Sequence, residues 1–192
     1  AGEPRIAGHG GLRPLDTPCE IELPEGVTYR TGDHLCVVPR NDVELVRRVE
    51  ARFGLAPQTQ VKLSTTSGGT AQLPTGEPIS TRRLLSDFLE LQSVASRKEV
   101  ETLARHTECP MSKPALEKLA GEDYREQVFA KRVSVLEILE RFPACEAPFG
   151  VFIEMCPMLG LRYYSISSSS EVEGGKCSVT VGVVDEPAIS GE

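Results

Sequence analysis

A change of period restricts this chain more than any other feature. From Asn41 to about Phe142 apolar residues recur every three or four positions, as on one face of a helix, while the segments on either side alternate apolar and polar residues as half-buried strands do. An all-helical block between strand-forming ends reads as a β framework carrying an inserted helical subdomain, an α+β arrangement. Upstream, Cys19, Ile21 and Leu23 face one way and Glu20 and Glu22 the other; Pro24-Glu25-Gly26 then turns the chain. The Thr31-Gly32-Asp33 turn leads into the apolar run Leu35-Cys36-Val37-Val38, which Pro39 stops. Downstream, the strand pattern returns at Arg162–Ser167 and Cys177–Val184, with Glu173-Gly174-Gly175 between them as a turn able to close a hairpin. Residues 19–39 and 162–184 are therefore expected in one antiparallel sheet. Four strands at most can be counted, and the sequence ends at Ser190-Gly191-Glu192 just after an apolar strand that calls for another partner, so the framework is expected to be incomplete.

Within the helical block, Asn41 with Glu44, Ser96 with Glu99 and Ser134 with Glu137 each have the spacing of a capping box, which satisfies two orphan amides reciprocally. Leu45, Val46, Val49 and Phe53 line a first helix ended by Gly54. Leu84, Leu85, Phe88 and Leu89 line a second after Ser80-Thr81, and Leu136, Leu139 and Phe142 a last one stopped by Pro143. Shorter helical pieces are expected over 113–120 and 124–132, and a loop over 64–78.

A chain of 192 residues can bury a core of one domain or one and a half. Its formal net charge of -7 argues against nucleic acid or anionic lipid as partner. The basic pairs Arg47-Arg48, Arg82-Arg83 and Lys131-Arg132 read as solvated helix faces. The six cysteines are scattered, with no C-x-x-C pair and no histidines placed to complete a metal set, so no metal is expected. Several lie in apolar runs, as reduced, buried cysteines of a cytoplasmic protein do. No stretch approaches the roughly 18 apolar residues of a membrane span, and the opening residues lack the pattern of a signal peptide.

One stretch carries chemistry: Arg162-Tyr163-Tyr164-Ser165-Ile166-Ser167-Ser168-Ser169-Ser170 sets a cation, two aromatic rings and a run of hydroxyls on a predicted strand and its end. Alternation puts Arg162 and Tyr164 on one face. A flavin dinucleotide needs a guanidinium for its pyrophosphate, a flat ring against its isoalloxazine and small donors near its reactive edge. The same residues also describe a strand with half-buried tyrosines followed by a polar serine turn, and chemistry alone leaves both readings open. His34 and Asp33 read as structural, the histidine as a hydrogen bonder at a strand start and the aspartate as a turn former. A serine hydrolase is disfavoured, since no serine lies in G-x-S-x-G.

The run from Arg162 to Ser169 resembles the R-x-Y-S flavin signature of the ferredoxin–NADP reductase superfamily in its diflavin form. Tyr29 through Asn41 is similar to the Y-x-x-G-D-H-L-x-V-x-P-x-N segment of the same FAD domain, and 124–146 resembles its inserted helical region. Nearly all of 19–186 is covered, and the set is most similar to the reductase half of self-sufficient bacterial cytochrome P-450 fusion proteins. The resemblance implies a flattened antiparallel Greek-key β-barrel with an inserted, mainly helical connecting domain. Residues 1–18 would then be a lead-in, 19–40 and 156–192 the two parts of the barrel, and 41–155 the insertion. It implies that Arg162 holds the FAD pyrophosphate, that Tyr164 beside Tyr163 packs on the flavin and bonds its ribityl chain, and that Ser165 sits near flavin N5 to assist hydride arrival. It implies further that the backbone of Thr180, Val181 and Gly182 meets the flavin, and that Arg5 matches an arginine touching the nicotinamide dinucleotide.

Relatives of this kind carry a second pyrophosphate-binding turn, an NADPH domain and an FMN domain, whose motifs do not occur here; no G-x-G-x-x-G is present. The chain is accordingly expected to be a piece of an NADPH–hemoprotein reductase, inactive by itself, whose parent passes electrons from NADPH through FAD and FMN to a haem protein or domain. Within that class, the flavoprotein of sulfite reductase or a nitric oxide synthase reductase is the alternative. A non-catalytic interaction module is the alternative from another class.

Overall fold

The computed structural model describes residues 16–64, 73–172 and 174–182. In chain order these form β1 (Asp16–Glu22), β2 (His34–Val37), α1 (Val43–Phe53), β3 (Gln60–Val61), β4 (Ile79–Ser80), α2 (Thr81–Asp87) and α3 (Arg97–Arg105). There follow α4 (Ser112–Ala120), a π-helical turn (Tyr124–Phe129), α5 (Val135–Arg141), α6 (Phe149–Met155), β5 (Arg162–Ser165) and β6 (Lys176–Gly182). They divide into two compact units, one of 16–38 with 161–182 and one of 39–160.

The helical unit follows its start signals closely. Ser96 and Ser134 both form reciprocal capping boxes, with Glu99 and Glu137, at the starts of α3 and α5. Ser80 caps α2 by accepting from the Arg83 amide, and Gly54 ends α1 in the left-handed conformation, at φ 61°, which glycine adopts without a Cβ clash. The expected box at Asn41 is not the one built. Asp42 caps α1 instead, its carboxylate accepting from the amides of Glu44 at 2.8 Å and Leu45 at 3.4 Å. Asn41 is spent on tertiary bonds, its amide donating at 2.6 Å to the carbonyls of both Leu85 and Leu89.

Two further corrections concern extent. Pro143 ends α5 but not the helical unit, because α6 follows it, packing Phe149 and Phe152 against Phe53 with ring centroids 5.4 and 5.1 Å away. The expected helix over 124–132 is a π-helical turn that stops at Phe129, after which Arg132 takes a positive φ of 55°. Part of the expected loop over 64–78 lies outside the described residues. The loop is flanked by the short antiparallel pair β3–β4, which raises the described strands to six, above the four counted from the sequence. The core of this unit includes the fully buried Leu84, Leu103, Leu116, Leu136, Leu139 and Phe152. Arg52 ties α1 to the α5 region by donating to the carbonyls of Leu139 and Cys145 at 3.1 and 2.6 Å.

In the β unit, strand pairing departs from the expected single sheet and from a β5–β6 hairpin. β1 pairs antiparallel with β6, from Asp16 opposite Gly182 to Glu22 opposite Lys176; β2 pairs antiparallel with β5, from His34 opposite Ser165 to Val37 opposite Arg162. The two ladders meet through one bridge, Ile166–Val179, beside which the Ser167 amide donates to the Ser178 carbonyl at 2.8 Å. The two ladders thus take their partners across the length of the chain, and the nearest turn contributes the bridge that joins them. Cys19, Ile21 and Leu23 do share a face, packed on a small core of Ile166, Cys177 and Val179. Cys36, expected inside, is exposed, because alternation along β2 turns Leu35 and Val37 inward.

Candidate functional site

The candidate residues are positioned by the register of β2 against β5. Ile166 donates its amide to the Asp33 carbonyl at 2.8 Å, which fixes the phase of the ladder. By alternation Leu35–Tyr164 and Val37–Arg162 are hydrogen-bonded pairs, whereas His34–Ser165 and Cys36–Tyr163 are the non-hydrogen-bonded pairs whose side chains approach more closely. The Asp33 carboxylate accepts from the Arg30 amide at 2.8 Å and so closes the turn before β2, as its sequence context suggested. His34 Nε2 lies 3.3 Å from Ser165 Oγ, across that close pair.

Arg162 and Tyr164 share one face of β5, as alternation requires. Arg162 is exposed, and among the described residues no carboxylate pairs with its guanidinium. Tyr164 is half-buried against the small core, while Tyr163 is 64% exposed on the opposite face with Ser165. A flat ligand touching both Tyr164 and Ser165 must therefore lie along the edge of β5 and not on one face. Among the described residues that edge is open: pairing with β6 is limited to the Ile166–Val179 bridge, and carrying its register further brings Ser165 level with Thr180, Tyr164 with Val181 and Tyr163 with Gly182. By the same alternation the backbone groups of Tyr163 and Gly182 turn toward the opening. An unpaired guanidinium, two rings, a hydroxyl and strand-edge amides form a donor set that fits a dinucleotide with an anionic pyrophosphate and a flat ring.

The serine run does something other than supply donors to a ligand. Ser168, buried, is a hub: its hydroxyl contacts the Tyr29 hydroxyl at 2.6 Å and accepts from the Ser178 amide at 2.8 Å, and its carbonyl accepts from the Thr31 hydroxyl at 3.2 Å. Ser167 donates its hydroxyl to the Ser178 carbonyl at 3.0 Å. These bonds hold the end of β5 against β6 and against the turn before β2. No local pattern announces the bond to Tyr29, since Tyr29 and Ser168 are 139 positions apart. Arg5 lies outside the described residues.

Elsewhere the titratable groups serve the scaffold. Glu50, buried in α1, is held by a bidentate pair with Arg82, at 3.1 and 2.7 Å, and that hydrogen bonding raises the arginine pKa. Burial, with a smaller contribution from Glu99 and then Glu90, pushes the Cys156 thiol up to about 12, whereas hydrogen bonds from Ser112 and the Met111 amide lower that of Cys109. None of the six cysteines is in a disulfide. Among the described residues no group of His, Cys, Asp and Glu is placed to hold a metal, and no helix is long and apolar enough to cross a membrane.

Comparison with known proteins gives a consistent picture. The family model described as FAD binding domain matches residues 19–192. The bifunctional cytochrome P450/NADPH--P450 reductase 2 of Bacillus subtilis is 48% identical over 174 residues, which are 90% of this chain and 16% of that protein. The corresponding bifunctional protein of Bacillus cereus is 45% identical over 174 residues, again 90% of this chain and 16% of the relative. That of Fusarium oxysporum is 38% identical over 179 residues, or 93% and 17%. The chain thus spans 16–17% of the length of these curated relatives.

Proposed function

The chain belongs to the FAD-binding domain family, and from that premise we propose that it is the part of an NADPH–hemoprotein reductase that grips FAD through Arg162 and Tyr164 and sets Ser165 near its reactive edge. The observation that carries the reading is the exposed Arg162 guanidinium, without a carboxylate partner among the described residues, two residues from Tyr164 on a strand whose edge, among those residues, opens opposite β6. Arg162 supplies a charge-assisted donor to the pyrophosphate. Tyr164, braced by the small core beneath it, offers its ring to the isoalloxazine and its hydroxyl to the ribityl chain. Ser165, at the strand end, presents one hydroxyl to the reactive edge of the ring, and Thr180, Val181 and Gly182 close the site from the other strand with backbone groups. When bound, FAD supplies the hydride and electron chemistry; the protein binds, orients and shields it.

We read the β unit as part of a flattened Greek-key barrel and the helical unit as the connecting domain inserted into it. In the parent protein, electrons would run from NADPH through FAD and FMN to a haem domain, in the cytoplasm, with Arg5 near the nicotinamide dinucleotide. The relatives' names, which join a cytochrome P450 to an NADPH–P450 reductase, support the two ends of that route, NADPH and a haem protein.

Equilibrium dialysis of this chain against FAD tests the reading. Removing a charge-assisted contact costs on the order of 1.5–3 kcal/mol, so Arg162→Ala is expected to weaken FAD binding by roughly ten- to a hundredfold. Tyr164→Ala should weaken it as well, and Ser165→Ala should leave affinity nearly unchanged. Absence of flavin uptake by the parent chain, or full retention by Arg162→Ala, would favour the interaction-module alternative.

A further inference from the structure

We propose that His34 is a positioning residue for Ser165, setting whether the serine hydroxyl meets the flavin as a hydrogen-bond donor or as an acceptor. The proposal rests on the flavin reading above and adds a residue to it. Its basis is geometric. His34 and Ser165 are cross-strand partners in a non-hydrogen-bonded pair, the arrangement that brings side chains closest, and His34 Nε2 stands 3.3 Å from Ser165 Oγ. Both side chains are exposed, and no other described residue bonds the Ser165 hydroxyl.

A serine hydroxyl has one proton to give. A neutral imidazole protonated on Nδ1 accepts that proton at Nε2 and leaves only the oxygen lone pairs of Ser165 to face a ligand. An imidazolium, or the Nε2-protonated tautomer, donates to the serine oxygen and frees its O–H to point at the ring. The identity of the residue opposite Ser165 therefore chooses the hydroxyl's polarity, although it need not touch the flavin. By alternation the other side chains on this face are Cys36 and Tyr163. The charged neighbours along the chain are Asp33, occupied with the Arg30 amide, and Arg30 itself. Histidine at this position has a role beyond that of the turn former beside it.

Two measurements on the 192-residue chain decide the matter. In the first, ring-nitrogen NMR of His34 is compared in the parent, Ser165→Ala and Cys36→Ser chains without flavin. The Nε2 resonance and the tautomer ratio should change in Ser165→Ala and hold in Cys36→Ser; an unchanged resonance in Ser165→Ala overturns the proposal. In the second, FAD is titrated and its absorption bands recorded in Ser165→Ala, His34→Leu and His34→Gln. His34→Leu should reproduce the band shift of Ser165→Ala with affinity kept within about twofold, as for other exposed substitutions. His34→Gln, which places an amide near the lost Nε2, should restore the parent spectrum. A His34→Leu spectrum identical to the parent overturns the proposal while leaving the flavin reading intact. Lack of FAD uptake by the parent would instead remove that reading, and with it the proposed role of His34.

Discussion

The two units stabilise themselves by different means. The helical unit encloses a broad core in which Leu84, Leu103, Leu136, Leu139 and Phe152 are wholly buried, whereas the buried core of the β unit, among the described residues, is Ile166, Cys177 and Val179. Apolar burial contributes in proportion to area, so the helical unit should hold most of the chain's stability. The β unit leans on directed bonds instead: the Ser168 hub, the Asp33 turn and the Ser167–Ser178 staple. Where a binding site can be placed follows from this contrast. An edge left open for a ligand is an edge not buried in a core, and the residues around it are held by hydrogen bonds that fix direction.

The contrast breaks most readily at Phe152. Truncation to alanine should cost about 3–5 kcal/mol, read as a lower urea midpoint by far-UV circular dichroism, because it empties the junction of α1 and α6. A loss below about 1 kcal/mol would mean that the helical core is not the principal source of stability. Next in size is Ser168→Ala, expected to cost about 1–3 kcal/mol within the β unit by removing the hydroxyl that contacts Tyr29 and accepts from the Ser178 amide. Hydrogen exchange should quicken at Ser178 and leave α5 amides unchanged; equal quickening in both would show that the units do not behave separately.

Smaller still are the caps. Ser96→Ala and Ser134→Ala each remove a reciprocal box and should cost about 1 kcal/mol, with the buried Ser134 the more costly of the two. Reversal of that order in thermal melts would count against burial as the deciding variable. The last test changes no stability. A thiol with a pKa near 12 is roughly one part in ten thousand thiolate at pH 8, so Cys156 should be alkylated later than the exposed Cys36, together with the buried Cys145 and Cys177, and gain reactivity only as pH rises toward that value. Exposed Cys36, and half-buried Cys109, whose thiol pKa is lowered by the hydrogen bonds from Ser112, should react early; Cys156 labelling alongside them would overturn the expected shielding.

Much of the helical unit was legible locally. Ser96–Glu99, Ser134–Glu137 and Gly54 act where their spacing put them, because a cap and its amides lie within one turn of chain. α6 was hidden: Pro148 offers no side-chain cap, Gly150 interrupts the apolar run, and seven residues give too few turns for a period to show. Asn41 misled for a related reason, since two carbonyls 44 and 48 positions away claimed its amide. At the site, the strand that carries Arg162, Tyr164 and Ser165 could be read from alternation, whereas Ser168 resembled a ligand donor until its partners were seen.

The change of period, the starts of α2, α3 and α5, the inward face of β1 and the flavin-like signature on β5 are all properties of residues a few places apart, and so are written in the chain. The tertiary structure decided that β5 pairs with β2 and β6 with β1, that Ser168 is a hub and that His34 faces Ser165. Apart from the Ser168–Ser178 bond, those contacts join residues separated by more than a hundred positions, and a strand presents equivalent edges to every candidate partner. Which edge is filled depends on which pairing buries Ile166, Cys177 and Val179 together, and only the folded chain compares those alternatives.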